Sequence, residues 1–138
     1  VVSFLLDTNV ISEARGPQGD ANVKAWLASV PADDLYLSVL VVGEIRGGIE
    51  WLRRRDPVQA DAYEGWLATL RRDYADRLLP VTAEVADEWG RVNVSDPVPV
   101  VDGLMAATAK VKGLTLVTRN TADVERSGVR ILNPFEVF

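Results

Sequence analysis

The chain has 138 residues, 48% of them hydrophobic and 25% charged, which sets the expectation of one domain, residues 1–138, with a real core. It contains no Cys and no His, so disulfides, zinc–thiolate sites, cysteine nucleophiles and histidine-based triads are excluded. The net charge of −5 argues against a generic nucleic-acid binder, although twelve of the fifteen cations are Arg, which suits bidentate phosphate contacts.

Residues 1–6 are a short apolar run, predicted to be a buried parallel strand that ends at Asp7-Thr8-Asn9. A short helix over 10–14 and a loop at Gly16-Pro17-Gln18-Gly19 follow. Val23, Trp26, Leu27 and Val30 then recur at helical spacing until Pro31. Residues 35–37 read as a second strand, and Ser38 as the N-cap of a helix carrying Val41, Val42, Ile45, Ile49 and Leu52. Gly47-Gly48 weakens that helix or admits close approach by another element. Asp56-Pro57 breaks it and opens a fourth helix with a stripe of Ala60, Tyr63, Trp66, Leu67 and Leu70. Residues 77–81 are a third strand, and Thr82 caps a helix bearing Val85, Trp89 and Val92.

Asp96-Pro97-Val98-Pro99 is a rigid turn before a small-residue helix over 100–110, with Gly113 as its C-cap. A fourth strand over 114–117, a turn or short helix over 122–127 and a fifth strand near 129–132 complete the chain. Short apolar strands alternating with helices predict α/β architecture with a parallel sheet. No apolar run reaches the roughly 18 residues of a membrane span, and no signal-peptide pattern opens the chain, which begins with Val1 rather than Met. A soluble, cytoplasmic protein is therefore expected.

Four oxygen-bearing places stand at the edges of apolar segments: Asp7, Glu44, Asp102 and Thr118-Arg119-Asn120. Ionised carboxylates beside buried segments are costly, and a hard divalent cation offsets that cost. In open parallel sheets ligands bind outside the C-terminal strand ends. Asp7 and Asn120 follow predicted strands, while Asp102 and Glu44 fall in the first and second turns of their helices, so all four can converge. Carboxylates brought together raise one another's pKa, and Mg²⁺ or Mn²⁺ relieves the repulsion. Phosphodiester hydrolysis suits such a site, because it needs neither His nor Lys. Each residue also has a plain reading. Asp7-Thr8-Asn9 is a possible strand-end turn, Glu44 a surface residue, Asp102 a helix N-terminal acid, Asn120 a loop residue and Asp123 a turn or cap residue.

In four segments the chain resembles the PIN domain family, and more narrowly the VapC and FitB type of toxin ribonuclease from bacterial toxin–antitoxin pairs. These are Leu5-Leu6-Asp7-Thr8-Asn9-Val10-Ile11-Ser12-Glu13; Leu37-Ser38-Val39 through Gly43-Glu44-Ile45-Arg46-Gly47-Gly48; Val101-Asp102-Gly103-Leu104-Met105-Ala106-Ala107-Thr108-Ala109; and Leu116-Val117-Thr118-Arg119-Asn120-Thr121-Ala122-Asp123. Asn133-Pro134-Phe135 also fits. The resemblance implies a three-layer α/β/α fold with a central parallel sheet of about five strands. It implies Mg²⁺- or Mn²⁺-dependent endonucleolytic cleavage of RNA, with Asp7, Glu44 and Asp102 as the three core acids. Asn120 stands where many relatives have Asp, which puts a second metal in doubt, and Asp123 is a substitute for it. Thr8, Asn9 and Thr118 match supporting positions. The resemblance further implies a homodimer and a VapB-like antitoxin that wraps the helices and reaches toward the acidic groove. Trp26, Trp51, Tyr63 and Trp66 are either interface or core aromatics. Two other readings are a PIN module that binds a partner or RNA without cleaving, and a phosphatase using Asp7 as nucleophile. Asn9 counts against the latter, because such enzymes carry a second Asp there.

Overall fold

Short apolar strands satisfy their backbone groups only when flanked by other strands, and here a single sheet supplies the neighbours. The computed structural model describes residues 2–94 and 97–136. Its strands are β1 (Phe4–Leu6), β2 (Leu35–Ser38), β3 (Leu78–Leu79), β4 (Thr115–Val117) and β5 (Ile131–Leu132). They form one parallel sheet in the order β3-β2-β1-β4-β5. Leu6 pairs with Leu37 on one side and Val117 on the other, so the three central strands end level. The chain first winds from β1 through β2 to β3 and then continues from β4 on the far side of β1. The crevice where an open sheet reverses direction in this way therefore lies at the ends of β1 and β4.

The helices are α1 (Thr8–Ile11), α2 (Ala21–Ser29), α3 (Val39–Arg53), α4 (Pro57–Asp73), α5 (Ala83–Asn93), α6 (Val100–Lys112) and α7 (Thr121–Val124). They flank the sheet to give the expected three-layer α/β/α architecture. Their starts follow local chemistry. Ser38 Oγ accepts the Leu40 N–H, Asp56 accepts from Gln59 ahead of Pro57, and Thr82 accepts from Val85. Gly113, at φ +69°, closes α6 in the left-handed region. Leu5, Leu6, Leu37, Leu116 and Val117 form the centre of the core with Val10, Val41, Ile49 and Met105.

Several expectations change in detail. The third strand spans two residues rather than 77–81, because Pro80 lacks the N–H that would extend an edge strand. The first helix ends at Ile11 and tightens into a 3₁₀ turn at Ser12–Ala14. No element closes on Gly47 or Gly48, where a Cβ would meet nothing within 4 Å. The first strand starts at Phe4. Val1, placed in that strand, and Asp96, placed in the rigid turn, lie outside the described residues. Among the described residues no helix is long and apolar enough to cross a membrane.

The four aromatics divide. Trp26 packs edge-on against Phe4, with ring centroids 5.0 Å apart. Tyr63 and Trp66 are half-buried and perpendicular to each other, whereas Trp51 is 65% exposed. The α3–α4 hairpin is tied across its surface by Arg46 to Glu64 and by Arg53 to Asp61 and Glu64.

Candidate active site

Asp7 occupies the C-terminal end of β1, where its N–H continues the sheet by donating to the Val117 carbonyl at 2.9 Å. Its side chain is 7% exposed and serves as the N-cap of α1. Oδ1 accepts the Thr8 N–H at 2.6 Å. Oδ2 accepts the Thr118 hydroxyl at 2.7 Å and the Asn9 amide at 3.4 Å. Burial raises the Asp7 pKa, and the bonds from Thr118 and Thr8 act against that rise. Thr118, 1% exposed, comes from the adjacent β4 end, and its Oγ1 also accepts the Asn120 N–H at 3.0 Å. Asn9 Oδ1 accepts the Arg119 N–H at 3.3 Å. Thr8, Asn9 and Thr118 thus lock Asp7 to both sides of the crevice.

Glu44 reaches the same crevice from the second turn of α3. The Thr8 hydroxyl donates to its Oε1 at 2.5 Å, so Thr8 joins Asp7 and Glu44 through its backbone N–H and its hydroxyl. Asp102 arrives from the first turn of α6. Its pKa is pushed up from 3.8 to about 6, first by burial and then by the charges of Asp7, Asp123 and Glu44. Four acids from four separate segments therefore share one electrostatic site. No Lys or Arg forms an ion pair with any of them among the described residues.

Asp123 has a larger part than the sequence gave it. It is the third residue of α7, not the cap, and its carboxyl acts on that of Asp102 to raise the Asp102 pKa further. Asn120 occupies the N-cap position without a side-chain cap bond and is exposed at the rim. The sequence signal for Asp123 was its place one helical turn beyond Asn120, in a helix that starts where β4 ends.

The donor chemistry fits a hard divalent cation: all oxygen, mostly carboxylate, with mutual repulsion already visible at Asp102. Among the described residues no three acids are drawn together tightly enough to hold an ion as they stand. Asp7 is fixed, so closing a shell around it requires Glu44, Asp102 or Asp123 to turn inward.

Comparison with known proteins finds relatives along nearly the whole chain. The PIN domain family model matches residues 4–126. Toxin FitB of Neisseria gonorrhoeae is 36% identical over 139 residues, covering 96% of this chain and 98% of that protein. VapC ribonuclease Y4jK of Sinorhizobium fredii is 34% identical over 140 residues, covering 96% and 98%. The crystal structure of FitAcB from Neisseria gonorrhoeae superposes with a TM-score of 0.89 at 34% identity, covering 97% of this chain and 99% of that one.

Proposed function

The chain belongs to the PIN domain family, and on that premise we propose that it is a metal-dependent endoribonuclease, the toxin of a toxin–antitoxin pair. The observation that carries the reading is Asp102, whose carboxyl is held up at about 6 by burial and then by three other acids, in a crevice where none of them is paired with Lys or Arg among the described residues. The names of similar proteins, toxin and ribonuclease, support RNA cleavage and an antitoxin as partner. A cytoplasmic homodimer is the form that goes with this reading.

Asp7, Glu44 and Asp102 would hold Mg²⁺ or Mn²⁺, with Asn120 or Asp123 completing the shell. When bound, the ion would neutralise the scissile phosphate and make a water more acidic. The chain's own groups do the positioning. Thr118 and Thr8 fix both oxygens of Asp7, so that carboxylate cannot rotate away. The Thr8 hydroxyl holds Oε1 of Glu44, leaving its second oxygen to orient the attacking water and accept its proton.

RNA cleavage should require Mg²⁺ or Mn²⁺, stop with EDTA and fall at least a hundredfold in both Asp7→Ala and Asp102→Ala. Undiminished cleavage in those two variants would sink the assignment. A module that binds without cleaving is favoured by the exposed, neutral Asn120. Calorimetric titration with Mn²⁺ separates the two, since a dead module shows no Asp7-dependent heat. A phosphatase with Asp7 as nucleophile is disfavoured, because both Asp7 oxygens accept hydrogen bonds and Asn9 is one of the donors.

A further inference from the structure

An open groove leaves the acidic crevice along the α3–α4 hairpin. Thr8 and Glu44 belong to both, so anything held in the groove continues directly into the site. Its walls carry Trp51, Arg55, Gln59 and Tyr63. Trp51 presents most of its indole to solvent, with the Arg54 guanidinium 5.7 Å from its ring. The Arg15 guanidinium lies 3.8 Å from the centre of the Tyr63 ring.

Charge gives the groove its character. On a chain of net charge −5, five of the twelve arginines, Arg46, Arg53, Arg72, Arg77 and Arg91, form ion pairs with acids. Arg55 lines the groove, Arg54 and Arg15 lie against its Trp51 and Tyr63 rings, and none of the three forms an ion pair among the described residues. Unpaired guanidinium groups beside a flat exposed indole match a flexible polyanion that carries aromatic faces.

We propose that this groove binds the single-stranded RNA segment next to the scissile phosphate, with an unstacked base laid on Trp51 and the backbone phosphates on Arg55 and its neighbours. The inference rests on the ribonuclease reading and adds a strand path and a preference for single strands. Stacking on Trp51 requires a base already out of a duplex, so double-stranded RNA gains nothing from it. A peptide would also meet arginines here. Continuity with the acids that act on a phosphodiester, and the exposed flat ring, favour the nucleic acid.

The test uses an Asp102→Asn background, which binds without cleaving, and a fluorescein-labelled 12-nucleotide single-stranded RNA of mixed sequence. Trp51→Ala should raise Kd about tenfold by anisotropy, an effect absent with the corresponding duplex. Arg55→Gln should lower the slope of log Kd against log salt by about one, whereas Arg71→Gln, away from the groove walls, should leave Kd within about twofold. Thermal midpoints of the Trp51 and Arg55 variants should match the parent, because both side chains are exposed. Unchanged Kd and slope in both variants would overturn the proposal. So would weakened capture of a protein partner with RNA binding intact, which would assign the groove to that partner. Failure of the ribonuclease reading is separate: cleavage by the otherwise wild-type chain would then persist after Asp102→Ala.

Discussion

Asp102→Asn should stabilise the metal-free protein while abolishing its activity, and the size of the gain should depend on pH. The folded-state pKa of Asp102 is about 6 against an ordinary 3.8, so the folded protein favours the protonated acid. Its stabilising effect is complete below about 4 and is lost as pH rises through about 6. That difference corresponds to about 3 kcal/mol against the ionised form. Asp102 is only half-buried, and solvent screening reduces the net cost to about 1 kcal/mol. The amide keeps the shape and cannot ionise. The variant should therefore melt about 4 °C above wild type at pH 8 in EDTA and within about 1 °C of it at pH 4. Some pH dependence remains, because Asp7 is also raised by burial and titrates in the same direction. Adding Mn²⁺ should raise the wild-type midpoint and leave the variant nearly unmoved, since only ligands that bind the folded state stabilise it. The assay is a thermal melt at the two pH values with and without metal. A variant that melts below wild type at pH 8, or gains equally at pH 4 and pH 8, would refute the account of Asp102 as a carboxyl held among like charges.

Other substitutions probe the supporting groups. Thr118→Val removes the donor to Asp7 Oδ2 and the acceptor of the Asn120 N–H, so urea unfolding should show a loss of about 1–3 kcal/mol. The Asp7 pKa should rise further, moving the acid limb of the pH–rate profile upward. Thr8→Val frees Oε1 of Glu44 at an exposed position, so kcat should fall while the thermal midpoint stays within about 2 °C. Gly103→Ala should cost about 1–3 kcal/mol by the same unfolding assay, because its Cβ would stand 3.0 Å from Cδ1 and Nε1 of Trp89 and 3.3 Å from Val98. Gly90→Ala, on α5 with nothing within 4 Å, should instead stabilise by about 0.5–1 kcal/mol.

What the sequence made legible was local. Asp7-Thr8-Asn9 announces a strand end, and Ser38, Asp56, Thr82 and Gly113 announce helix boundaries, because a cap acts on backbone groups within a few residues of itself. The exposure of Trp51 was within reach by the same logic. Val41, Ile45 and Ile49 are the buried residues of α3, and Trp51 lies two positions, roughly 200°, beyond Ile49 on the helix, so it faces away from the core. Grouping it with Trp26, Tyr63 and Trp66 as one class of aromatic hid that difference. The partnership of Asp123 with Asp102 was not legible, because it depends on how α7 docks against α6, and no spacing between residues 102 and 123 encodes that.

The sheet order explains why acids so far apart in sequence meet at all. With β1 between β2 and β4, and all three ending level, the segment after β1, the helix after β2 and the segment after β4 must rise from one edge. That geometry delivers Asp7, Glu44 and Thr118, and α6, which runs into β4, adds Asp102 from its first turn. Packing in the sheet core holds these groups in place regardless of their charge, since Leu5, Leu6, Leu116 and Val117 are fully or almost fully buried directly beneath the crevice. The fold therefore bears the repulsion at Asp102 and does not relax it. If the site binds a cation as proposed, the like-charge part of the rise in the Asp102 pKa and the affinity for that cation would be two measures of one arrangement.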